Sequence, residues 1–189
     1  MSYDPNKHHR KSIRLKGYDY AKPGKYFITI CVQEMKCLFG KIADGKMILN
    51  DAGEMIHKEW LSLPQRFPNI KLHEFIVMPN HFHAILEITA PAPARATLVV
   101  APPQSPPQSP PQSQSPIPKK TPPTLGAIIG AFKSITTVKY IEGIKTKNWL
   151  RFNKRLWLRD FWDDIIRNEK AYKNITKYIK NNPRNWHRH

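Results

Sequence analysis

The chain has 189 residues, enough for one domain of ordinary size carrying an insertion and too few for two full enzymatic domains. Hydrophobic residues make up 40% and aromatics 11%, which supports a packed core and excludes wholesale disorder. Lys and Arg number 31 against 14 Asp and Glu, and the resulting +17 points to a polyanionic partner, either nucleic acid or an anionic membrane surface.

No apolar run approaches the roughly 20 residues that a membrane-spanning helix needs. The basic start, MSYDPNKHHRKSIRLKG, lacks the apolar stretch and small-residue cleavage site of a secretory signal, so a cytoplasmic protein is expected. Cys31 and Cys37 form neither a C-x-x-C pair nor part of a larger set; both are expected to be reduced, with Cys31 in the core.

Along the chain, KYFITICVQE (25–34) alternates β-branched and aromatic residues and predicts a strand. In CLFGKIADGKMILN (37–50), Asp44-Gly45 between two short apolar runs predicts a hairpin. Asp51 is a candidate N-cap for a first helix, in which Ile56, Trp60 and Leu63 recur at helical spacing until Pro64 stops it. KLHEFIVM (71–78) and HFHAILEI (81–88), joined by Pro79-Asn80, predict a second antiparallel hairpin.

Residues 90–123 hold 12 of the 18 prolines and a short PPQS repeat. Fixed backbone angles and missing amide donors keep such sequence out of a core and predict a semi-rigid, solvated spacer rather than a dedicated ligand for a proline-recognising partner. Beyond it, Thr124 caps a second helix whose Leu125, Ile128, Ile129, Phe132 and Ile135 line one face. RLWLRDFWDDIIR (155–167) predicts an aromatic-rich strand, and NEKAYKNITKYIKNN (168–182) a last helix capped by Asn168 and ended by Pro183. This order predicts an α+β fold, a ferredoxin-like or RRM-like sandwich in which a mainly antiparallel sheet is covered on one face by helices. Residues 1–189 then form a single domain interrupted by the insertion at 90–123.

Two features carry potential chemistry. His81 and His83 stand two apart on a strand and project from one face, with Phe82 and Ile85 assigned to the other; two imidazoles can grip one metal ion, but they do not complete a site. A histidine-triad hydrolase would need a third histidine where Ile85 stands, and no histidine is followed at the H-x-T or H-x-S spacing of two-histidine phosphoesterases. On the last helix Tyr178 and Asn182 are four apart and share a face, bringing a nucleophile and a possible ligand together. Spacing alone favours Tyr178 as an amphipathic-helix residue alongside Tyr172, Ile175 and Ile179.

MPNHFHAILEI (78–88) and YIKNNP (178–183) resemble the HUH and catalytic-tyrosine motifs of the REP-associated tyrosine transposases, relatives of the single-tyrosine insertion-sequence transposases. The resemblance extends to RLKGYDYAKPGKYFITICVQ (14–33), CLFGKI, the first helix, LGAIIGAFKS, the LWLRDFWDDIIRNE run and NNPRNW, so it spans nearly everything but the proline tract. It implies a DNA strand-transfer enzyme that depends on Mg or Mn, with His81, His83 and Asn182 as metal ligands and Tyr178 as the nucleophile. Tyr178 would leave a free 3′ hydroxyl and a 5′ phosphate joined to the enzyme. One departure is Phe161-Trp162-Asp163-Asp164, where relatives often carry an aromatic, an acid and a histidine before I-I-R.

From residue 119 to the end, 17 Lys or Arg face 5 Asp or Glu, interleaved with Trp149, Phe152, Trp157, Phe161, Trp162 and Trp186. Charges that follow phosphates and rings that stack unpaired bases suit single-stranded nucleic acid better than a membrane. Lys133 and Lys177 are expected to contact DNA, and Lys7, Arg10, Lys11 and Arg14 to form a DNA-binding arm. The family binds hairpins of repeated extragenic palindromes, as monomer or homodimer. The rival readings are a catalytically idle nucleic-acid-binding module and a replication-initiator type HUH nuclease; Tyr140 is the reserve nucleophile.

Overall fold

The computed structural model describes residues 17–90 and 123–186. Four strands, β1 (Gly24–Cys31), β4 (Ile70–Val77), β5 (His81–Ile88) and β6 (Trp162–Ile166), form a sheet in the order β4-β5-β1-β6, every neighbouring pair antiparallel. Two further strands, β2 (Gly40–Ala43) and β3 (Lys46–Leu49), make a separate ribbon. The helices are α1 (Asp51–Leu61), the single turn α2 (Leu63–Arg66), α3 (Leu125–Lys147) and α4 (Glu169–Asn181). The series β1-α1-β4-β5-α3-β6 is the β-α-β-β-α-β order of a ferredoxin-like fold, as expected, with the ribbon inserted and α4 appended. Segments from both sides of residues 91–122 share this sheet, since β6 pairs with β1.

Local chemistry explains most of these elements. Asp44 and Gly45 form the two-residue turn of the β2–β3 ribbon, both with positive φ (49° and 67°), as a tight hairpin with right-handed twist requires. Thr124 and Asn168 cap α3 and α4, their side chains accepting the N–H of Ala127 and Ala171. The cap of α1 is Asn50, not Asp51. Asn50 keeps extended backbone, accepts the Gly53 N–H at 2.9 Å and donates to the Leu38 carbonyl at 3.0 Å, leaving Asp51 as the first helical residue.

Helices α1 and α3 pack on one face of the sheet. Tyr26, Ile28, Ile30, Phe82, Ala84 and Leu86 meet Trp60 and Phe132 there in a continuous core, with the Trp60 ring 4.8 Å from Phe82 and 5.2 Å from Phe132. Helix α4 lies on the opposite face, where Ile85, Ile166 and Ile179 form a much smaller buried cluster. The expectation of helices on one face alone is therefore corrected, and so is the assignment of Ile85. Two residues beyond His83, Ile85 keeps the histidines' side, as alternation along a strand demands.

Two further corrections concern strand ends. β1 stops at Cys31, and Gln33–Met35 form a 3-10 turn; Cys31 is half-buried rather than core, and Cys37 is exposed. The strand expected over 155–167 is limited to Trp162–Ile166. Ahead of it Trp157 makes an isolated bridge to Val32 and donates its indole N–H to Thr136, while the Lys133 ammonium donates to the carbonyls of Leu158 and Arg159 at 2.6 and 2.9 Å. The bridge keeps residues 156–158 at the edge of β1, with Gln33 donating to the Leu156 carbonyl and Leu158 to that of Cys31, while residues 158–160 bend toward Lys133 and interrupt the ladder before Trp162. Finally, β4 carries an extra residue. Leu72 pairs with Leu86 and Phe75 with Ala84, so His73 and Glu74 together stand opposite Ile85.

Candidate metal and nucleophile site

Alternation along β5 sends His81 and His83 toward α4, with ring centroids 4.6 Å apart. Near the C-terminal end of α4 the Tyr178 hydroxyl lies 3.4 Å from His83 Nε2. Phe27 of β1 stacks on the His83 ring at 5.4 Å and meets Tyr178 edge-on at 6.0 Å, which walls the pair on one side. Asn182, the C-cap of α4, is buried beside His81, and Trp186 just beyond stacks on the His81 ring at 5.8 Å. The four residues His81, His83, Tyr178 and Asn182 therefore converge from a strand and a helix that are far apart in sequence.

Each imidazole is oriented through Nδ1. His81 Nδ1 lies 2.7 Å from Asn80 Oδ1, and Asn80 Nδ2 donates to the Met35 carbonyl, which fixes the amide so that its oxygen faces the ring. An oxygen acceptor there requires the proton on Nδ1 and leaves a lone pair on Nε2. His83 Nδ1 is 2.8 Å from the Thr29 hydroxyl, which can accept in the same way and free Nε2. Burial drives the His81 pKa down to about 4, against a small upward pull from Asn182. Burial, with His81 as a lesser cause, takes His83 down to about 3. Both rings are thus neutral at pH 7, the protonation state in which imidazole ligates a metal.

Two neutral Nε2 lone pairs with an amide oxygen beside them suit a divalent cation whose remaining positions are filled by water or a substrate oxygen. Among the described residues no three His, Cys, Asp or Glu side chains converge as a metal site. An ion held by the two imidazoles would need its further ligands from outside that set of side chains, and Asn182 is the buried amide beside them.

The other expected residues lie elsewhere. Lys177 is exposed on α4 and, with Lys173 and Lys180, lines a shallow groove of about 370 Å³ beside the site. Lys133 spends its ammonium on backbone carbonyls of residues 158–160. Lys7, Arg10, Lys11 and Arg14 lie outside the described residues. Tyr140 is fully buried and donates to the Leu150 carbonyl, and burial raises its pKa to about 12, so it cannot serve as the reserve nucleophile.

Sequence reasoning missed Thr29, Asn80 and Phe27 as site residues, and it read Trp186 as one of the base-stacking aromatics without placing it against His81. Asn80 had a signal, since it immediately precedes the first histidine; Thr29 becomes visible only once its pairing with His83 is known. Trp162, part of the departing Phe161–Asp164 stretch, is paired opposite Thr29 and 55% exposed.

Fold and site together define a ferredoxin-like α+β protein with paired histidines and a tyrosine on an appended helix. No protein-family model matches the chain. It is 39% identical over 188 residues to an uncharacterised protein of Haemophilus influenzae, covering 97% of this chain and 93% of that one, and it belongs to the same family as that protein. Among solved structures, the fold is similar to a REP-associated tyrosine transposase bound to a REP hairpin, with a TM-score of 0.54 and 17% identity over 91% of this chain and 73% of that one. A putative transposase from Deinococcus radiodurans is more distant, with a TM-score of 0.43 and 15% identity over 89% of this chain and 95% of that one.

Proposed function

We propose that this protein is a metal-dependent endonuclease and strand transferase of single-stranded DNA, of the single-tyrosine transposase type, acting on hairpin-bearing DNA. The observation that carries the reading is the Tyr178 hydroxyl 3.4 Å from His83 Nε2, on a phenol that is 48% exposed while the imidazoles behind it are sheltered. A nucleophile at the mouth of the site can meet a polymer too large to enter it. The fold shared with a transposase bound to a REP hairpin supports a DNA hairpin as the partner, and the charge of +17 supports a polyanion.

His81, His83 and Asn182 are the residues that would hold Mg or Mn. An ion bound there would polarise the scissile phosphate and stabilise the departing 3′ oxygen. Tyr178 forms a bond from its phenolic oxygen to phosphorus as the bond from phosphorus to the 3′ oxygen breaks. The phenolic proton is released and the departing oxygen takes one up, leaving a free 3′ hydroxyl and a 5′-phosphotyrosine. Attack by a second 3′ hydroxyl reverses these changes and joins the strands. Asn80 and Thr29 hold the imidazoles in the ligating tautomer, Phe27 and Trp186 flank them, and exposed Lys177, one residue from Tyr178, would meet the phosphodiester backbone. All of these groups come from one chain, so the reading requires no second protomer.

Incubation with a single-stranded hairpin oligonucleotide and Mn or Mg is expected to give a protein-linked oligonucleotide on denaturing gels. The product should vanish in Tyr178→Phe and in the pair His81→Ala, His83→Ala. Adduct formation by Tyr178→Phe would remove Tyr178 from the nucleophile role. Salt-sensitive binding by the unaltered protein without any adduct would leave a binding module.

A further inference from the structure

The strand next to β5 has a feature that the proposed chemistry does not explain. In β4, Ile70 and Leu72 face the α1/α3 core, and so do Phe75 and Val77, although the two pairs differ in parity. The extra residue between Leu72 and Phe75 absorbs the change of phase, and it turns both His73 and Glu74 toward α4. His73 Nδ1 lies 3.2 Å from the Tyr172 hydroxyl and its Nε2 lies 2.8 Å from Glu87. Neutral His73 can accept from Tyr172 and donate to Glu87 at once. Glu74 makes an ion pair with Lys180 at 3.2 Å. Tyr172 stands in the first turn of α4, Lys180 in its last, and Tyr178 between them.

We propose that this bulge is the device that positions the Tyr178 helix, with His73 as its principal positioning residue. The inference rests on Tyr178 being the nucleophile. The apolar contact beneath α4 is centred on three buried isoleucines, with Phe27, Ile76, Ala171, Tyr172 and Ile175 packed partly buried against them, a smaller seam than the α1/α3 face and one that polar contacts can supplement in setting the helix's rotation and axial position. A regular strand would present either residue 73 or residue 74 to α4, and so would supply one anchor. The bulge supplies two, one near each end, which fixes rotation and axial position together. The His73 end is the stronger: its partners are largely buried and the Tyr172 ring also packs edge-on against the imidazole at 5.5 Å, with the Lys25 ammonium 5.1 Å from the same ring. The Glu74–Lys180 pair is more exposed and serves mainly to set direction. Position matters because displacing a reacting group by about 1 Å can cost on the order of a hundredfold in rate.

The test combines Tyr172→Phe with Glu74→Gln in the full chain, neither residue being part of the ligand or nucleophile set. Measured with a single-stranded hairpin oligonucleotide and Mn, adduct formation in a single turnover is expected to slow by about tenfold to a hundredfold. Oligonucleotide affinity should stay within about twofold and the melting temperature should barely move. Lys180→Glu alone should slow the reaction, and adding Glu74→Lys should restore it. A rate unchanged in the double variant, under conditions where Tyr178→Phe abolishes the adduct, would overturn the proposal, as would a loss confined to affinity or thermal stability. The imidazole nitrogen resonances of His83 in the DNA-free protein give a reading independent of catalysis. They should shift in Tyr178→Phe and in Tyr172→Phe, Glu74→Gln alike. If Tyr178→Phe still forms adduct, the nucleophile assignment fails on its own, and an unmoved His83 resonance in the double variant would separately refute the positioning role.

Discussion

The two faces of the sheet are built on different terms. Under α1 and α3 the sheet offers closely packed aromatic and aliphatic side chains, with Trp60, Phe82 and Phe132 fully buried at the centre. Under α4 it offers three buried isoleucines and a row of polar contacts: His83 with Thr29, His81 with Asn80, His73 with Glu87 and Tyr172. The first face holds the fold together by excluding water. The second gives up apolar area to place imidazoles, an amide and a phenol where they can meet, and it keeps the phenol open to solvent.

The contrast can be broken most severely by truncation. Trp60→Ala is expected to destabilise by about 3–5 kcal/mol in urea denaturation, whereas Ile179→Ala on the thinner face should cost about 2 kcal/mol; equal losses would mean that the α4 face contributes as much to stability as the other.

Acid should act on the α4 face first. His81 and His83 have folded pKa values of about 4 and about 3 against 6.5 for the free group, so their contribution to stability is complete above pH 6.5 and is lost as pH falls through 6.5 toward those values. The loss approaches about 1.4 kcal/mol per pH unit for each ring. Denaturation measured from pH 7 to pH 4 should show a flatter decline in His81→Gln, His83→Gln than in the unaltered protein.

The smallest effect expected is the most selective. Removing the orienting groups with Thr29→Val and Asn80→Ala should weaken Mn binding by about 10–100-fold in calorimetric titration while secondary structure is retained. Unchanged Mn affinity would show that the rings need no such support.

Much of the α1/α3 face was legible because its signals are local and periodic. Asp44-Gly45 marks a turn whose backbone only such residues adopt easily, Thr124 and Asn168 mark helix starts, and the two apolar runs around Pro79-Asn80 mark a hairpin. The α4 helix was equally legible as a helix, but its side of the sheet was not, because a 3.6-residue stripe records that one face is apolar without recording what covers it. HFHAILEI did hold the clue: Ile85 places an apolar group on the histidines' side, which implies something packed there. Tyr178, Asn182, His81 and His83 were recognised by spacing and motif. Thr29 depended on strand register, and the role of His73 on a bulge that KLHEFIV does not announce, since its residues suit a strand in either phase. The over-long β6 had a different cause. Aromatic residues at 157–161 suggest a continuous strand, but the carbonyls of residues 158–160 turn to the Lys133 ammonium, so the pairing at Trp157 and the ladder from Trp162 are separate.

β5 enters at His81 and leaves at Ile88, so the strand end that leads toward the proline-rich sequence is roughly 23 Å from His81 and roughly 17 Å from His83 along the strand at the usual rise per residue. For the experimenter, the Ile88 end is therefore the part of β5 at which a fluorophore or an affinity handle can be attached farthest from the histidines.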